Sequence, residues 1–312
     1  MNLTNEPATF TRNPHDPKLR IRCIILFVCT AVLASGCRTI DSNAASTFAS
    51  TVTTIKSQAN GALNAAASLT RDAGVAYVVT RPTLKESDFA ETPTAEIISE
   101  WDNTLSSIET YALNLSALSS PNISRNFDAA ATNLFNQMTV TAKALNTRAL
   151  SSSPQISAGL ASGFSELASI LIRAKAQATA RKVAMAADPA IQDILNLLAA
   201  EIGENHTDPC LRTTIFQTWN AKRDSLNAPF LEAKDADHKK PIVQEYASIL
   251  AQRSAQDQSL MALRRALLAL RDAHHGLAQG NETSIQAAFA ISVNELQRTR
   301  DLYNQFANDL KK

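Results

Sequence analysis

Three places in this chain gather side chains able to do chemistry. In "NHTDPC", His206, Asp208 and Cys210 stand close together. A thiol of lowered pKa beside an imidazole is a nucleophile. Asp208-Pro209 has the form of a helix start, which puts Cys210 in a first turn, where the helix dipole favours thiolate. In "DADH", Asp235, Asp237 and His238 offer oxygen and nitrogen ligands, but neighbours on one loop rarely converge on a metal. Lys234, Lys239 and Lys240 would repel a cation, so a solvated loop is expected there. In "RDAHHG", His274 and His275 precede Gly276 at an expected helix end, where the end dipole accounts for both. Adjacent helical residues point about 100° apart, so the two rings should not share a face.

No Gly-rich phosphate loop, zinc spacing or placeable Ser/His/Asp set accompanies these residues. The expectation is a non-enzymatic chain with no metal and no cofactor. A Cys-dependent hydrolase using Cys210 and His206 is kept as an alternative. Cys210 is the one cysteine clear of the N-terminal 37 residues, and a buried, inert thiol is expected.

The elements that would hold such residues are helices. Capping residue and proline recur at Thr92-Pro93, Ser120-Pro121, Ser153-Pro154, Asp188-Pro189 and Asp208-Pro209, each reading as a helix start. Over 42–80, Phe48, Val52, Ile55, Ala59, Ala62, Ala66, Leu69 and Ala73 alternate steps of four and three, a heptad seam that wants a partner helix. Trp101, Leu105, Ile108, Ala112 and Leu115 repeat it; Phe127, Ala131, Leu134, Met138 and Leu145 suggest another helix over 121–149. Ile156, Leu160, Leu167, Leu171 and Ala174 mark one over 154–187. Helices follow at 189–202, at 209–234 with a break near Pro229, at 241–278 and at 282–311, where Ile285, Phe289, Ser292 and Leu296 keep the beat.

"VAYVV", 75–79, is the single strand-like run and reads equally as the end of the first helix. "AQRSAQDQS", 251–259, is polar all round although Gln256 lies on a seam with Leu260, Leu263, Leu267, Leu270 and His274. It reads as a surface or projecting segment, or as a polar layer that fixes register or meets a partner. The fold class expected is all-α: an elongated antiparallel bundle of six to eight helices with heptad-like seams, over 42–312. A division into two halves near 188–209 is left open. Alanine-rich, aromatic-poor composition (5% Phe, Trp and Tyr) suits slender, closely packed helices better than deep ligand pockets.

The address is written in "RIRCIILFVCTAVLASGCRT", 20–39. Its uncharged run, Cys23 to Cys37, reaches about 22 Å as a helix, short of a hydrocarbon core of about 30 Å. Basic residues, an apolar stretch and small residues in that order make an export signal over 1–36. Leu33-Ala34-Ser35-Gly36-Cys37 resembles the lipobox of bacterial lipoproteins, although those signals favour Leu where this chain has Ala34. The resemblance implies cleavage between Gly36 and Cys37, acylation of Cys37, and residues 37–41 as anchor and short linker. Arg38 after the cysteine, in place of Asp, is similar to the outer-membrane pattern of such proteins. The address implied is the cell envelope, with the outer membrane facing the periplasm favoured over the inner.

Removing residues 1–36 takes away Arg12, Lys18, Arg20 and Arg22 with Glu6 and Asp16, leaving 26 Lys+Arg against 27 Asp+Glu. No basic field is left to draw nucleic acid. The expected partners are the membrane, through the N-terminal lipid, and an envelope protein. The alternative of a membrane-active or toxin-accessory bundle needs an apolar hairpin of about 20 residues per arm, which 160–172 and 260–270 do not supply.

Overall fold

Asp41 opens the first helix: its side chain accepts from the Asn43 N–H (3.2 Å) and its carbonyl from that of Ala45 (3.1 Å). The computed structural model describes residues 40–78, 83, 85, 93–119, 132, 136, 138–143, 154–174 and 179–309. Eight helices have defined bounds: α1 Ser42–Val78, α2 Ala95–Ser119, α3 Pro154–Ala174, α4 Ala180–Ile202, α5 Leu211–Asp224, α6 Asn227–Glu232, α7 Ala236–Gln279 and α8 Glu282–Asp309. Residues 138–143 are helical as well, and the described residues contain no strand. The chain is an all-α helical bundle. The leader through Cys37, Ser120-Pro121 and the positions Phe127, Ala131, Leu134 and Leu145 lie outside the described residues.

The seams are where the bundle closes. Phe48, Val52, Ile55 and Ala59 of α1 are fully buried, but a turn later Leu63 is buried and Ala62 only half so. A helix of 3.6 residues per turn drifts off a strict seven-residue beat, so the burial shifts by one position. On α2, Trp101, Leu105, Ile108, Ala112 and Leu115 are all buried. On α7 the seam from Gln256 to His274 is buried at every step. α7 packs against α8, α4, α1, α5 and α6, and α1 also lies on α2. One cluster of buried side chains runs from Ile40 to Leu296, through 188–209 where the sequence leaves a division open.

Several helix starts differ from the sequence reading. α1 and α8 begin at 42 and 282 as expected, but of the proline-marked starts within the described residues only Pro154 opens its helix at the expected place. α2 begins after Thr94, whose hydroxyl accepts from the Ile97 N–H, so Pro93 precedes the cap. Asp188-Pro189 is not a start: α4 begins behind Thr179, which caps it through the Lys182 N–H, and runs through Pro189. The segment 180–187 is rich in helix formers, and the Asp188 carboxylate is engaged elsewhere. Pro189 has no N–H to offer the carbonyl of Met185. Both residues lie on the exposed side of α4, where water can serve that carbonyl. The expected helix over 154–187 is therefore two, α3 and the first part of α4. "VAYVV" resolves in favour of helix up to Val78. "DADH" is a helix start rather than a loop: Asp235 caps α7 through the His238 N–H (2.9 Å).

Two loops depend on glycine. Gly280, at φ 72°, ends α7 with its N–H on Gly276 and Leu277, and Asn281 returns its own N–H to Gly276 (2.9 Å). Gly203, at φ 93° and ψ 150°, ends α4 in a region that side chains do not reach without strain.

Candidate functional site

Among the described residues, one group of titratable side chains lies inside the bundle, where α2, α4 and α7 meet. His274 is fully buried. Its Nδ1 is 2.9 Å from Asp188 Oδ1 and its Nε2 is 2.8 Å from the Tyr111 hydroxyl, itself buried. His275, on the next face of α7 and half exposed, reaches the other oxygen: Nδ1 is 2.7 Å from Asp188 Oδ2. The Gln192 side-chain amide donates to that same oxygen (2.8 Å). Phe48 of α1 lies against the His274 ring at 5.5 Å between centroids, with Phe289 of α8 behind it.

The charges follow from these contacts. Burial disfavours an ionised Asp188, but the hydrogen bonds from His274 and His275 overcome it and hold the carboxyl at about 2. Burial lowers the pKa of His274 more than Asp188 raises it, so the ring is neutral at pH 7. Neutral His274 then donates Nδ1–H to the carboxylate and accepts the Tyr111 O–H at Nε2. Burial pushes the Tyr111 hydroxyl well above its ordinary range. A hydroxyl, an imidazole and a carboxylate in line are the parts of a proton relay, but Tyr111 and His274 lie within the core, without an open face for a substrate. The arrangement ties three helices together.

Capping by the histidines is thereby corrected. α7 continues to Gln279, a full turn past His275, and Gly280 is the cap. The two rings do leave the helix on different faces, yet one carboxylate placed between those faces accepts from both. The sequence signal that could have found this was Asp188 itself, an acidic residue on the apolar face of α4.

The loop 203–210 disposes of the second candidate set. The Cys210 thiol is buried, with Thr213 Oγ1 at 3.2 Å and the Asn205 carbonyl at 3.6 Å. Cys210 is the N-cap residue of α5 rather than part of its first turn, and its side chain makes no capping bond. His206 turns another way: its ring stacks on Phe216 at 4.2 Å, and its Nε2 lies 3.4 Å from Asp257 Oδ1. The buried Arg212, which sequence reasoning passed over, organises this loop. Its guanidinium grips Asp257 with two bonds of 2.8 and 2.9 Å and donates to the carbonyls of Gly203 and Glu204. Asp257 belongs to the polar stretch 251–259. That stretch is a layer in the α5–α7 interface: Gln252 and Gln256 are buried, and Arg253 bonds Asn220 (2.6 Å) while lying over Phe216.

Within that layer the Trp219 indole N–H donates to Gln256 Oε1. Gln256→Leu should cost roughly 1–3 kcal/mol by leaving the indole N–H unpaired. Trp219→Phe with Gln256→Leu should recover most of that loss in urea unfolding. Equal losses in the single and double variants would mean that the bond does not organise the layer.

Beyond this layer α5, α6 and the first turns of α7 form a hairpin of another kind. No residue from Ala221 to Ser248 is buried. Leu231 is 81% exposed, Val243 53% and Phe230 38%, with Lys239 Nζ 4.9 Å from the Phe230 ring centroid. The segment carries five basic residues (Lys222, Arg223, Lys234, Lys239, Lys240) and five acidic ones (Asp224, Glu232, Asp235, Asp237, Glu245). Along α7, Lys239 and His274 are 35 residues apart, about 50 Å at 1.5 Å per residue. Because Phe48 packs on His274, the chain enters the bundle at the end of α7 remote from the hairpin.

Among the described residues no group of three or more His, Cys, Asp or Glu is arranged to hold a metal ion. α4 is long and apolar enough to cross a membrane by length and composition, and over half of that stretch is buried in the bundle. By fold the protein belongs to the helical bundles. Comparison with protein-family models, curated proteins and solved structures gives no match to this chain.

Proposed function

We propose that this chain is a lipid-anchored protein of the bacterial envelope whose helical bundle binds a protein partner and catalyses no reaction. The observation that carries the reading is the leader that closes on Leu33-Ala34-Ser35-Gly36-Cys37. Two acyl chains hold a protein durably where one holds it marginally. Cys37 is three residues before Ile40, a reach of about 10 Å. In sequence the anchor precedes α1, whose first turns hold Phe48 against His274 at the end of α7 remote from the hairpin.

That placement supports a protein partner at the hairpin rather than the bilayer. Phe230, Leu231 and Val243 offer an apolar tip, and the balanced charges around it provide no net attraction to anionic lipid. A pocket for Phe230 and Leu231 with a rim of both signs of charge is the surface that fits.

Palmitate labelling of the wild type and Cys37→Ser, with fractionation, tests the anchor. A photoreactive residue in place of Leu231, compared with one in place of exposed Leu113, tests the tip in the same cells. The expected result is label on the wild type alone, in the envelope fraction, and a discrete adduct at 231 only. The adduct's partner, once identified and purified, should bind Leu231→Asp at least about tenfold more weakly, the loss of one buried apolar anchor. Label on both proteins, or adducts to lipid, would overturn the corresponding half of the reading.

A further inference from the structure

We propose that the chain Tyr111–His274–Asp188–His275 is an acid-sensitive latch, which releases the first turns of α4 from the end of α7 when His274 takes up a proton. This inference does not rest on the proposed anchor or partner.

The geometry restricts where release occurs. The start of α4, 180–188, is held by the buried side chains of Ala180, Val183, Ala184 and Ala187, by the Thr179 cap, by the Arg181 guanidinium on the Gln279 carbonyl (3.1 Å) and by Asp188. Directly behind it, Pro189 interrupts the ladder of α4. The first turns of α4 thus join the rest of the helix through a ladder one hydrogen bond short. Among the described residues, the titratable groups facing His274 are Asp188 of α4, Tyr111 of α2 and His275 beside it on α7. α1 turns an apolar ring to it, Phe48, and α8 places Phe289 behind that ring. Arg271 and Asp272 pair with each other at the exposed edge (2.7 Å).

The sign of the linkage follows. His274 has a folded pKa below its ordinary 6.5, because burial penalises the cation. Its contribution is complete above about 6.5 and falls away as the pH drops below that value. Asp188, ordinarily near 3.8 and held at about 2 in the folded chain, adds to the loss only as the pH falls from about 4 towards 2. Tyr111 stays protonated throughout. In mild acid, opening therefore takes up proton, and the opening equilibrium should rise as the pH falls below about 6.5, by at most about tenfold per pH unit.

Hydrogen exchange of the full chain in detergent, followed by mass spectrometry and corrected for the intrinsic pH dependence of exchange, reads this directly. Between about pH 6 and pH 5, peptides covering 180–192 and 270–279 should gain in opening, by at most about tenfold, while 256–267 stays protected. His274→Gln should abolish that slope, and Tyr111→Phe, which leaves the imidazole in place, should keep it. No slope in the wild type, the same slope in His274→Gln, or loosening of 256–267 in step would each overturn the latch. Should His274→Gln fail to fold, NMR of the wild-type imidazole decides: a ring that protonates while 180–192 stays protected refutes it.

Discussion

Asp188→Ala should lower the melting temperature at pH 7.5 by about 6–12 °C, from a loss of roughly 3 kcal/mol. The substitution removes a carboxylate that takes hydrogen bonds from His274, His275 and Gln192. His275 is half exposed and Gln192 partly so, and both can turn to water. His274 cannot, so its Nδ1–H is left without an acceptor inside the core. An unmade bond of that kind costs more than a made one contributes. Asp188→Asn keeps an acceptor for one ring and should lose less. Replacing the set together, Asp188→Leu with His274→Phe and Tyr111→Phe, leaves no orphaned donor among the three and should recover part of the stability. Thermal unfolding followed by circular dichroism separates the cases, and an Asp188→Ala protein that melts with the wild type would show that the network holds nothing.

Gly203→Ala should cost about 2–5 kcal/mol, the sum of backbone strain and overpacking. At φ 93° and ψ 150° an alanine is strained wherever it has room, and here it has none. An added Cβ would come within 2.7 Å of Cys210 Cβ and closer still to its Sγ. The contact is with the start of α5, which the rest of the loop, clamped by Arg212, cannot easily move. Cys210→Gly beside Gly203→Ala removes both the Sγ and the Cβ it would meet, and should relieve the overpacking and leave the strain. Gly280→Ala is the comparison. Gly280 also has a positive φ, 72°, but its added Cβ would meet only the flexible end of Arg181, at 3.3 Å, so the loss should be smaller. Urea unfolding of the four proteins tests the order; Gly203→Ala no worse than Gly280→Ala would refute the packing argument.

What could be read from the residues, and what could not, divides along physical lines. The helical class was legible because burial on one face writes a period into the sequence, and Trp101 to Leu115 and Gln256 to His274 carry it plainly. Helix starts were harder. Asp188-Pro189 has the local chemistry of a cap, but a side chain has one place to go, and tertiary contacts with His274 and His275 claimed it. The polar stretch 251–259 is similar: nothing local distinguishes a solvated face from a layer that meets Trp219, Asn220 and Arg212, all on a helix some forty residues earlier. For the candidate sites, the residues with the most reactive chemistry, Cys210 and His206, proved to face different neighbours. Those that organise the interior, Tyr111 and Arg212, stand alone in the sequence without a motif to mark them.

α7 is one continuous helix from the latch to the hairpin, with Pro241 no further in than its second turn, and that continuity sets an angle as well as a span. Each residue of such a rod advances the chain about 1.5 Å and turns it by about 100°. One residue inserted between Tyr246 and Gln252 would hardly alter how far Phe230 and Leu231 stand from the core. It would swing them to a different side, whereas seven would return them close to their original bearing. The compass direction in which the tip points is thus held by residue count along a single helix, and small changes of length are felt there as rotation.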